Sequence, residues 1–400
     1  MKGHLRKRGS NTWALIVELG HDAEGKRRQK WHTFHGNKKD AEAELTRLLH
    51  ELNTGMYAEP DRMLVRDYLK RWLKDYAQPS VAPKTFERYQ EIVTLHLDPA
   101  LGHIPLQRLK PLHIQAMEAQ MLVSGSKKRV KKPDNKQHES RPNPPLGLSA
   151  RTVLHHHRVL HAALEQAVKW QLLARNPADA VRAPRPEAKE MDVLDEAGIV
   201  CLLDAAKGTA LYIPVLLAAT TGMRRGEVLG LRWQDVDLKT GTVAVRQALS
   251  RTKAGPVFTT PKTAKSKRTL ALPAIARKAL KVHHKQQAEA RLRLGPVFRD
   301  HGLVCPAEDG RPWHPGTLTS SFRDLTKRAG IRSTFHGLRH SHATLLLRQG
   351  VHPKIVSERL GHSSIGLTLD TYSHVLPGMQ EDAAAKVDSA LVKAFRNRPK

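Results

Sequence analysis

The stretch from Thr334 to Val375 decides how this chain is interpreted; it reads TFHGLRHSHATLLLRQG, VHPKIVSERLGHSS and IGLTLDTYSHV in succession. Apolar residues recur at helical spacing after the first histidine, which predicts a helix with His336 and Arg339 at its start. A Gly-His turn follows at 361–362, and Tyr372 lies ten residues further on. A tyrosine supplies an oxygen nucleophile, an arginine supplies a fork of donors for phosphate oxygens, and imidazoles carry protons. Together these residue types indicate chemistry on a phosphodiester.

A second arginine is expected elsewhere, because a five-coordinate phosphate shares its charge over two non-bridging oxygens. The stretch AATTGMRRGEVLGLRW, residues 218–233, supplies it in Arg224, just after a Thr-Gly turn. Glu227 follows three residues later, which predicts that the two side chains share a helical face. Glu227 is therefore interpreted as a supporting residue that orients Arg224 or its helix.

Four boxes in this order, T-G-M-R-x-x-E, H-x-x-R, G-H and Y, resemble the tyrosine recombinases, and most of all the phage-type integrases. The resemblance is dense over the second half of the chain and looser over the first. It implies an enzyme that cuts and rejoins DNA through a 3′-phosphotyrosine intermediate, to integrate or excise mobile DNA, with no metal, ATP or other cofactor. The sequence agrees, because it holds neither a G-x-x-x-x-G-K-[ST] loop nor an acidic triplet for two metals.

The resemblance also implies a role for each matching residue. Tyr372 attacks the phosphate, while Arg224 and Arg339 hold its two non-bridging oxygens and neutralise the charge that grows there. His362 donates to the phosphate. His336 either accepts the tyrosine proton or binds a phosphate oxygen.

Members of this family carry an active lysine on a hairpin, which is expected here between strands at 256–260 and 268–272. The turn PKTAKSK holds three candidates, Lys262, Lys265 and Lys267. The K-T-x-x-S pattern favours Lys262, and the other two stay open. The lysine would protonate the departing 5′ oxygen.

The net charge of +29 indicates a polyanionic partner, which the resemblance identifies as double-stranded DNA carrying attachment sites. The excess of Lys and Arg over Asp and Glu is 3 in residues 1–60, 11 in residues 61–185 and 15 in residues 186–400. The basic surface thus runs through both later regions, as suits a protein that surrounds a duplex. Two cysteines form no disulfide framework, and no apolar run reaches the length of a membrane span. We therefore expect a cytoplasmic protein.

The predicted fold is mainly α-helical with small β-sheets, in three domains. Residues 1–58 form a strand-rich module that resembles the arm-type DNA-binding domain of phage integrases. Residues 61–183 form a helical core-binding domain, interrupted by a basic insert at 124–147. Residues 187–400 form a mixed α/β catalytic domain.

Exposed basic residues of the core-binding domain and its insert are candidate phosphate contacts. They are Lys84, Arg88, Lys127, Lys128, Arg129, Arg151 and Arg158. The histidines at 155–157 and His161 lack a Cys or carboxylate at ligand spacing, and no metal site is predicted there. Nor is one predicted at His336 and His340, because a zinc-peptidase helix needs Glu after its first histidine and Gly337 stands there.

Two alternatives to an integrase remain. One is a chromosome-dimer resolving recombinase or a type IB topoisomerase, although the strand-rich N-terminal module favours the integrase. The other is a DNA-binding regulator without catalytic activity, which the intact set of site residues disfavours. The resemblance further implies a homotetramer on DNA, a host DNA-bending protein and an excision factor. A last helix, expected to run to about Phe395, packs either on its own domain or on a neighbouring protomer.

Overall fold

The computed structural model describes residues 3–21, 27–53, 62–125, 147–187, 192–260, 267–372 and 379–396. The chain divides into two compact units, Met1–Ala188 and Lys189–Lys400. Helices dominate both units, and every sheet is small and antiparallel, as the sequence predicts. The finer division of the first unit near residue 60 stays a prediction.

The first unit begins with a three-stranded sheet and one helix. Strands β1 (Gly3–Gly9), β2 (Thr12–His21) and β3 (Arg27–His35) pair in that order, and α1 (Lys38–Asn53) packs against one face. Alternate residues of a strand point to the same face, so Leu15 and Val17 of the central strand reach the helix. The apolar stripe of the helix completes this core with Ala41, Leu45 and Leu48.

Strand β1 was not predicted, because GHLRKRG reads as a basic string with a single large apolar residue. It forms because β2 offers an open edge for its backbone groups. Trp31 of β3 is 45% exposed. It pairs with Ile16, on the face away from α1, and the guanidinium of Arg8 lies 5.3 Å from the centre of its ring.

The helical part of the first unit follows from residue 65. Helices α2 (Val65–Trp72) and α3 (Pro83–Ile92) each continue into a π-helical turn, and α4 (Pro111–Ser124) and α5 (Ala150–Lys169) follow. Ser149 caps α5, since its hydroxyl accepts from the backbone N–H of Thr152 at 3.3 Å. Tyr68 and Trp72 are buried at the centre, where the Tyr68 hydroxyl donates to the Ala163 carbonyl.

The histidines of α5 meet separate partners. His157 lies 2.7 Å from Glu118 in the interior, and His161 lies 2.8 Å from Asp179 at the surface. Among the residues that the structure describes, no three His, Cys, Asp or Glu side chains gather in a way that could hold a metal ion. In the same residues, no helix has the length and apolar character needed to cross a bilayer.

The strands of the second unit pair differently from the predicted hairpin, which joined strands at 256–260 and 268–272. Strand β4 (Val236–Asp237) pairs with β5 (Thr242–Val245), which pairs with β8 (Arg268–Ala271), whereas β6 (Ala248–Thr252) pairs with β7 (Gly255–Thr259) in a separate sheet. Residues 242–252 are thus divided between two sheets. Strands β7 and β8 therefore belong to different sheets and do not form the predicted hairpin; residues 261–266, between them, lie outside the described residues.

Helices surround these sheets and form two clusters. Helices α6 (Glu196–Ala206), α7 (Tyr212–Thr221), α8 (Arg225–Gly230), α9 (Ala274–Leu294) and α10 (Pro315–Arg328) enclose the main core. Helices α11 (Gly337–Arg348), α12 (Pro353–Leu360) and α13 (Ile365–Tyr372) form the second cluster, which contains Tyr372. The last helix, α14 (Met379–Arg396), keeps Val387, Leu391 and Phe395 more than half exposed.

Gly222 ends α7 and is expected to be intolerant of a side chain. Its φ is +67°, and a Cβ there would come within 2.7 Å of Leu360 and 2.8 Å of His342. Gly208 has a φ of +71° with open space around it, and so serves as the matched control. We expect Gly208→Ala to lower the free energy of unfolding by about 1–2 kcal/mol through backbone strain alone. Gly222→Ala should lower it by about 1–3 kcal/mol more, because it also overpacks the core. Urea unfolding measures both values, and equal losses would show that the neighbours move aside freely.

Candidate active site

The first part of the site is built at the turn between α7 and α8. The left-handed Gly222 ends one helix, and Arg224 immediately precedes the next. Glu227, in the first turn of α8, accepts from the Arg224 backbone N–H and from its Nη1, each at 2.9 Å. The predicted pairing is therefore present, although Arg224 caps the helix instead of sharing its face. An acidic side chain near a helix N-terminus also suits the helix dipole.

Glu227 is shared with a second arginine that sequence reasoning missed. Nη2 of Arg268, on β8, donates to one carboxylate oxygen at 2.8 Å, and its Nη1 donates to the other at 3.2 Å. Both side chains are almost fully buried. Burial alone would raise the pKa of Glu227, but the hydrogen bonds and charge of Arg268, followed by those of Arg224, outweigh it and lower the pKa. Glu227 is thus an anion held between two cations.

Arg268 is itself held by the last turn of α12. Its Nε donates to the Arg359 carbonyl at 2.7 Å. The Arg359 side chain continues inward, where its Nε donates to Nε2 of His342 at 3.1 Å. Nδ1 of His342 is then the donor to the Ala219 carbonyl, at 3.0 Å. This chain of contacts ties α7, α11, α12 and β8 together behind Arg224.

Arg339 carries a buried charge with an unused donor. Its Nη1 donates to the Gly222 carbonyl at 2.8 Å, and the side chain is nearly inaccessible. Its Nη2 is buried and has no hydrogen-bond partner among the residues that the structure describes. Burial, followed by the charge of Arg224, lowers the pKa of Arg339 to about 9. A buried guanidinium N–H without an acceptor is costly, so this position favours an incoming anion.

The two predicted histidines flank the arginines and are neutral at pH 7. His362 follows Gly361, whose carbonyl accepts from Nη2 of Arg224 at 3.2 Å. Nδ1 of His362 lies 2.7 Å from the Thr368 hydroxyl. Burial, with the charges of Arg339 and Arg224, lowers its pKa to about 4. Burial and the same two arginines also lower the pKa of His336.

Tyr372 ends α13 and is 1% exposed. Its hydroxyl oxygen lies 2.8 Å from Nδ1 of His340. Burial raises the pKa of Tyr372 to about 12, against the opposing charge of Arg339. The sequence offered His336 as an acceptor of the tyrosine proton, whereas the described contact of the phenol is with His340. The sequence could have indicated His340, because it directly follows Arg339. We had considered His340 only as a possible metal ligand.

The structure thus brings six sequence-selected residues into one region of the second unit. They are Arg224, Glu227, His336, Arg339, His362 and Tyr372. Lys262 and Lys265 lie outside the described residues, and Lys267 is exposed just before β8.

Among the candidate phosphate contacts, Lys84 and Arg88 bond to Glu87 and Glu91 at 3.0 and 2.7 Å. Arg151 and Arg158 are exposed two helical turns apart on α5. Lys127, Lys128 and Arg129, with most of the predicted basic insert, lie outside the described residues.

Replacing Glu227 tests the ion pair at the base of the site. We expect Glu227→Gln to lower the free energy of unfolding by about 3–5 kcal/mol at pH 7, because it leaves Arg268 buried without its anion. The pKa of Glu227 is lowered below its ordinary value of 4.5. Its stabilisation is therefore complete above that pH and is lost as the pH falls through the folded-state pKa. Urea unfolding from pH 7 to pH 3 should show the two proteins converging.

Glu358→Gln is the control, since Glu358 is an exposed partner of Lys354 at 3.4 Å. Exposed pairs contribute about 0–1 kcal/mol. A loss in Glu227→Gln no larger than that of the control, or one independent of pH, would contradict the assignment.

Comparisons of the sequence with known proteins place it among recombinases. The profile described as phage integrase family matches residues 192–378, and the phage integrase N-terminal SAM-like domain matches residues 64–121. A protein named tyrosine recombinase XerC-like, from Caldanaerobacter subterraneus subsp. tengcongensis, is 28% identical over 98% of this chain and 99% of its own length. An integrase of Streptomyces ambofaciens is 27% identical over 94% of this chain and 92% of its own length.

Solved structures show the same fold. The Tn1549 transposon integrase, in complex with transposon right end DNA, superposes with a TM-score of 0.66 at 20% identity. The match covers 82% of this chain and all of that one. A lambda integrase tetramer bound to a Holliday junction gives a TM-score of 0.53 at 19% identity, over 90% of this chain and 95% of that one. The two matched profiles together span more than half of the sequence, and the chain belongs to the phage integrase family of tyrosine recombinases.

Proposed function

We propose that this protein is a site-specific DNA recombinase that integrates or excises mobile DNA through a 3′-phosphotyrosine intermediate. Tyr372 attacks a DNA phosphate in line and releases a 5′ hydroxyl. The covalent bond conserves the energy of the phosphodiester, so neither ATP nor a metal ion is consumed. What supports the proposal is the meeting of Arg224, Arg339 and Tyr372 in one buried, cationic site.

The positive charge of the site is complementary to the negative charge of a phosphodiester. The site holds four guanidinium groups, those of Arg224, Arg268, Arg339 and Arg359. They lie close enough for their charges to lower pKa values within this group and of a neighbouring histidine. In the contacts described here, the carboxylate facing them is that of Glu227. An excess of buried positive charge is unfavourable unless an anion completes it. We infer that the scissile phosphate does so, with Arg339 Nη2 and Arg224 each donating to a non-bridging oxygen.

The remaining roles follow from the family. Lys262 protonates the 5′ oxygen as it leaves, with Lys265 and Lys267 as alternatives. His362 donates to the phosphate, and Glu227 orients Arg224. In the first unit, residues 61–183 grip the duplex, with Lys84, Arg88, Arg151 and Arg158 contacting phosphates. The basic insert adds affinity that is independent of sequence.

The N-terminal module favours an integrase over a chromosome-dimer resolving enzyme or a topoisomerase. Arg8 covers Trp31 on the face of the sheet away from α1, which leaves a cation and an aromatic ring together at the surface. Such a surface suits a DNA backbone. We infer that residues 1–58 bind accessory arm sites and that the protein acts in the cytoplasm, alongside a host DNA-bending protein and an excision factor.

Covalent trapping tests the enzymatic function. We expect the wild type to form an SDS-stable, protease-sensitive adduct with a nicked duplex that carries the direct repeat flanking the gene. Tyr372→Phe should form none, because it lacks the nucleophilic oxygen. Arg339→Lys should slow adduct formation about a hundredfold or more, since a single ammonium cannot replace the fork of donors.

Arg291→Lys is the matched control, because Arg291 is exposed and paired with Asp300 at 2.6 Å. It should react at the wild-type rate. An adduct in Tyr372→Phe, or its absence in the wild type on DNA that the protein binds, would refute the proposed function.

We further propose monomers in free solution and four protomers on paired sites. The apolar residues that α14 exposes, Val387, Leu391 and Phe395, suit docking on a neighbouring protomer as well as on their own unit. Light scattering of the paired-site complex should give the mass of four chains with two duplexes. A mass of two chains would contradict this assembly.

A further inference from the structure

The hydroxyl group of Tyr372 has a specific neighbour that the family motif boxes do not include. Nδ1 of His340 lies 2.8 Å from the phenol oxygen, and the two ring centres are 5.8 Å apart. His340 projects from α11 one residue after Arg339, so the helix that carries the phosphate-binding arginine also carries the contact to the nucleophile. The two requirements of the attack, a held phosphate and a held hydroxyl, are met by adjacent residues.

The protonation states of this pair define the direction of the hydrogen bond. Burial raises the pKa of Tyr372 to about 12, so the phenol keeps its proton at neutral pH. Burial, followed by the charges of His336 and Arg339, lowers the pKa of His340 to about 4, so its ring is neutral. With the imidazole proton assigned to Nε2, the phenol donates and Nδ1 accepts. The proton that must leave Tyr372 therefore already points at a base.

Other basic groups of the site have different partners. His362 bonds to Thr368, and His342 lies between the Ala219 carbonyl and Arg359. The Glu227 carboxylate is occupied by two arginines. The rings of His336 and His340 pack in a T-shaped arrangement, with their centres 4.9 Å apart and their planes nearly at a right angle. Of the contacts described for the phenol oxygen, the one that can receive a proton is His340.

We propose that His340 is a further catalytic residue, the general base whose Nδ1 takes the phenol proton as Tyr372 attacks. This rests on the proposed function. An oxygen lone pair of Tyr372 forms the bond to phosphorus, and the bond from phosphorus to the 5′ oxygen breaks with its electron pair. The 5′ oxygen takes a proton from Lys262, and Nδ1 of His340 becomes protonated. In the rejoining step the same proton returns to the phenol oxygen as the phosphotyrosyl bond breaks. His336 then keeps its alternative role at a phosphate oxygen.

The surroundings couple this base to the substrate. Arg339 and His336 disfavour a positive charge on His340 while the site holds no anion. A phosphodiester bound by Arg224 and Arg339 offsets their charge and so makes an imidazolium at His340 less costly. Proton transfer is thereby favoured when DNA is in place.

Single-turnover adduct formation on the nicked duplex tests the proposal with His340→Asn. Asparagine keeps an acceptor near the position of Nδ1 but cannot take a proton, so it separates holding the phenol from deprotonating it. We expect the rate to fall about 10²–10⁴-fold, the usual contribution of a general base. DNA affinity should stay within about twofold. His352→Asn is the control, because the exposed His352 caps α12 and asparagine is also a good cap.

A substrate with sulfur in place of the bridging 5′ oxygen separates base from acid. A thiolate leaves without a proton, so this substrate should restore the rate of Lys262→Ala but not that of His340→Asn. On the same substrate, the rate of His340→Asn should rise with pH as hydroxide replaces the missing base, whereas the wild type should stay level from pH 6 to pH 9.

Three results would overturn the proposal: a wild-type rate in His340→Asn, its rescue by the sulfur substrate, or a pH profile like that of the wild type. Should His340→Asn fold poorly in urea unfolding, His340→Ala with added imidazole replaces it. A rate unaffected by imidazole there would count against a proton-transfer role. Failure of the proposed function looks different, since the wild type itself would then form no adduct or Tyr372→Phe would form one.

Discussion

The ion pair between Glu227 and Arg268 underlies the whole site. A carboxylate buried this deeply would ordinarily lose its charge, yet two guanidinium groups keep it ionised. In return it fixes Arg224 at the start of α8 and Arg268 on β8. Because Arg268 also reaches the last turn of α12, one anion sets the positions of three elements. Among the residues that the structure describes, the remaining positive charge, above all that of Arg339, is paired with no carboxylate in this way, and the protein is thereby prepared for an anionic ligand.

Local motifs in the sequence were enough to find most of the residues that we assign to the chemistry. Arg224, Arg339, His362 and Tyr372 stand in short patterns whose residue types have a reason to occur together. Arg268, which holds Glu227, and His340, the proposed base, could not be found in this way. Arg268 lies 41 positions from Glu227 and looks like any basic residue of an edge strand. The contact of His340 with the phenol spans 32 positions, and no spacing rule connects them.

The same distinction applies to the fold. The helix predicted to begin at His336 and the last helix, predicted to run to about Phe395, are both present, since apolar residues at helical spacing identify a helix from local sequence. Strand β1 was missed because its stability comes from the backbone of β2, not from its own polar side chains. The partner of β8 was also wrong, because two short strands in sequence commonly form a hairpin and here the chain changes sheets. Pairing depends on contacts that are remote in sequence, which a local pattern does not encode.

The electrostatics of the site suggest why the nucleophile remains inactive without DNA. Burial and nearby guanidinium groups lower the pKa values of His336, His340 and His362, while burial raises that of Tyr372. Proton transfer from the phenol to an imidazole is then unfavourable by several powers of ten, because the phenol is a weak acid and each of these imidazoles is a weak base. A bound phosphodiester opposes the same guanidinium charges and so strengthens the base. The substrate itself therefore completes the electrostatic conditions for its own cleavage, which protects a buried tyrosine from reaction with anything that fails to occupy both arginines.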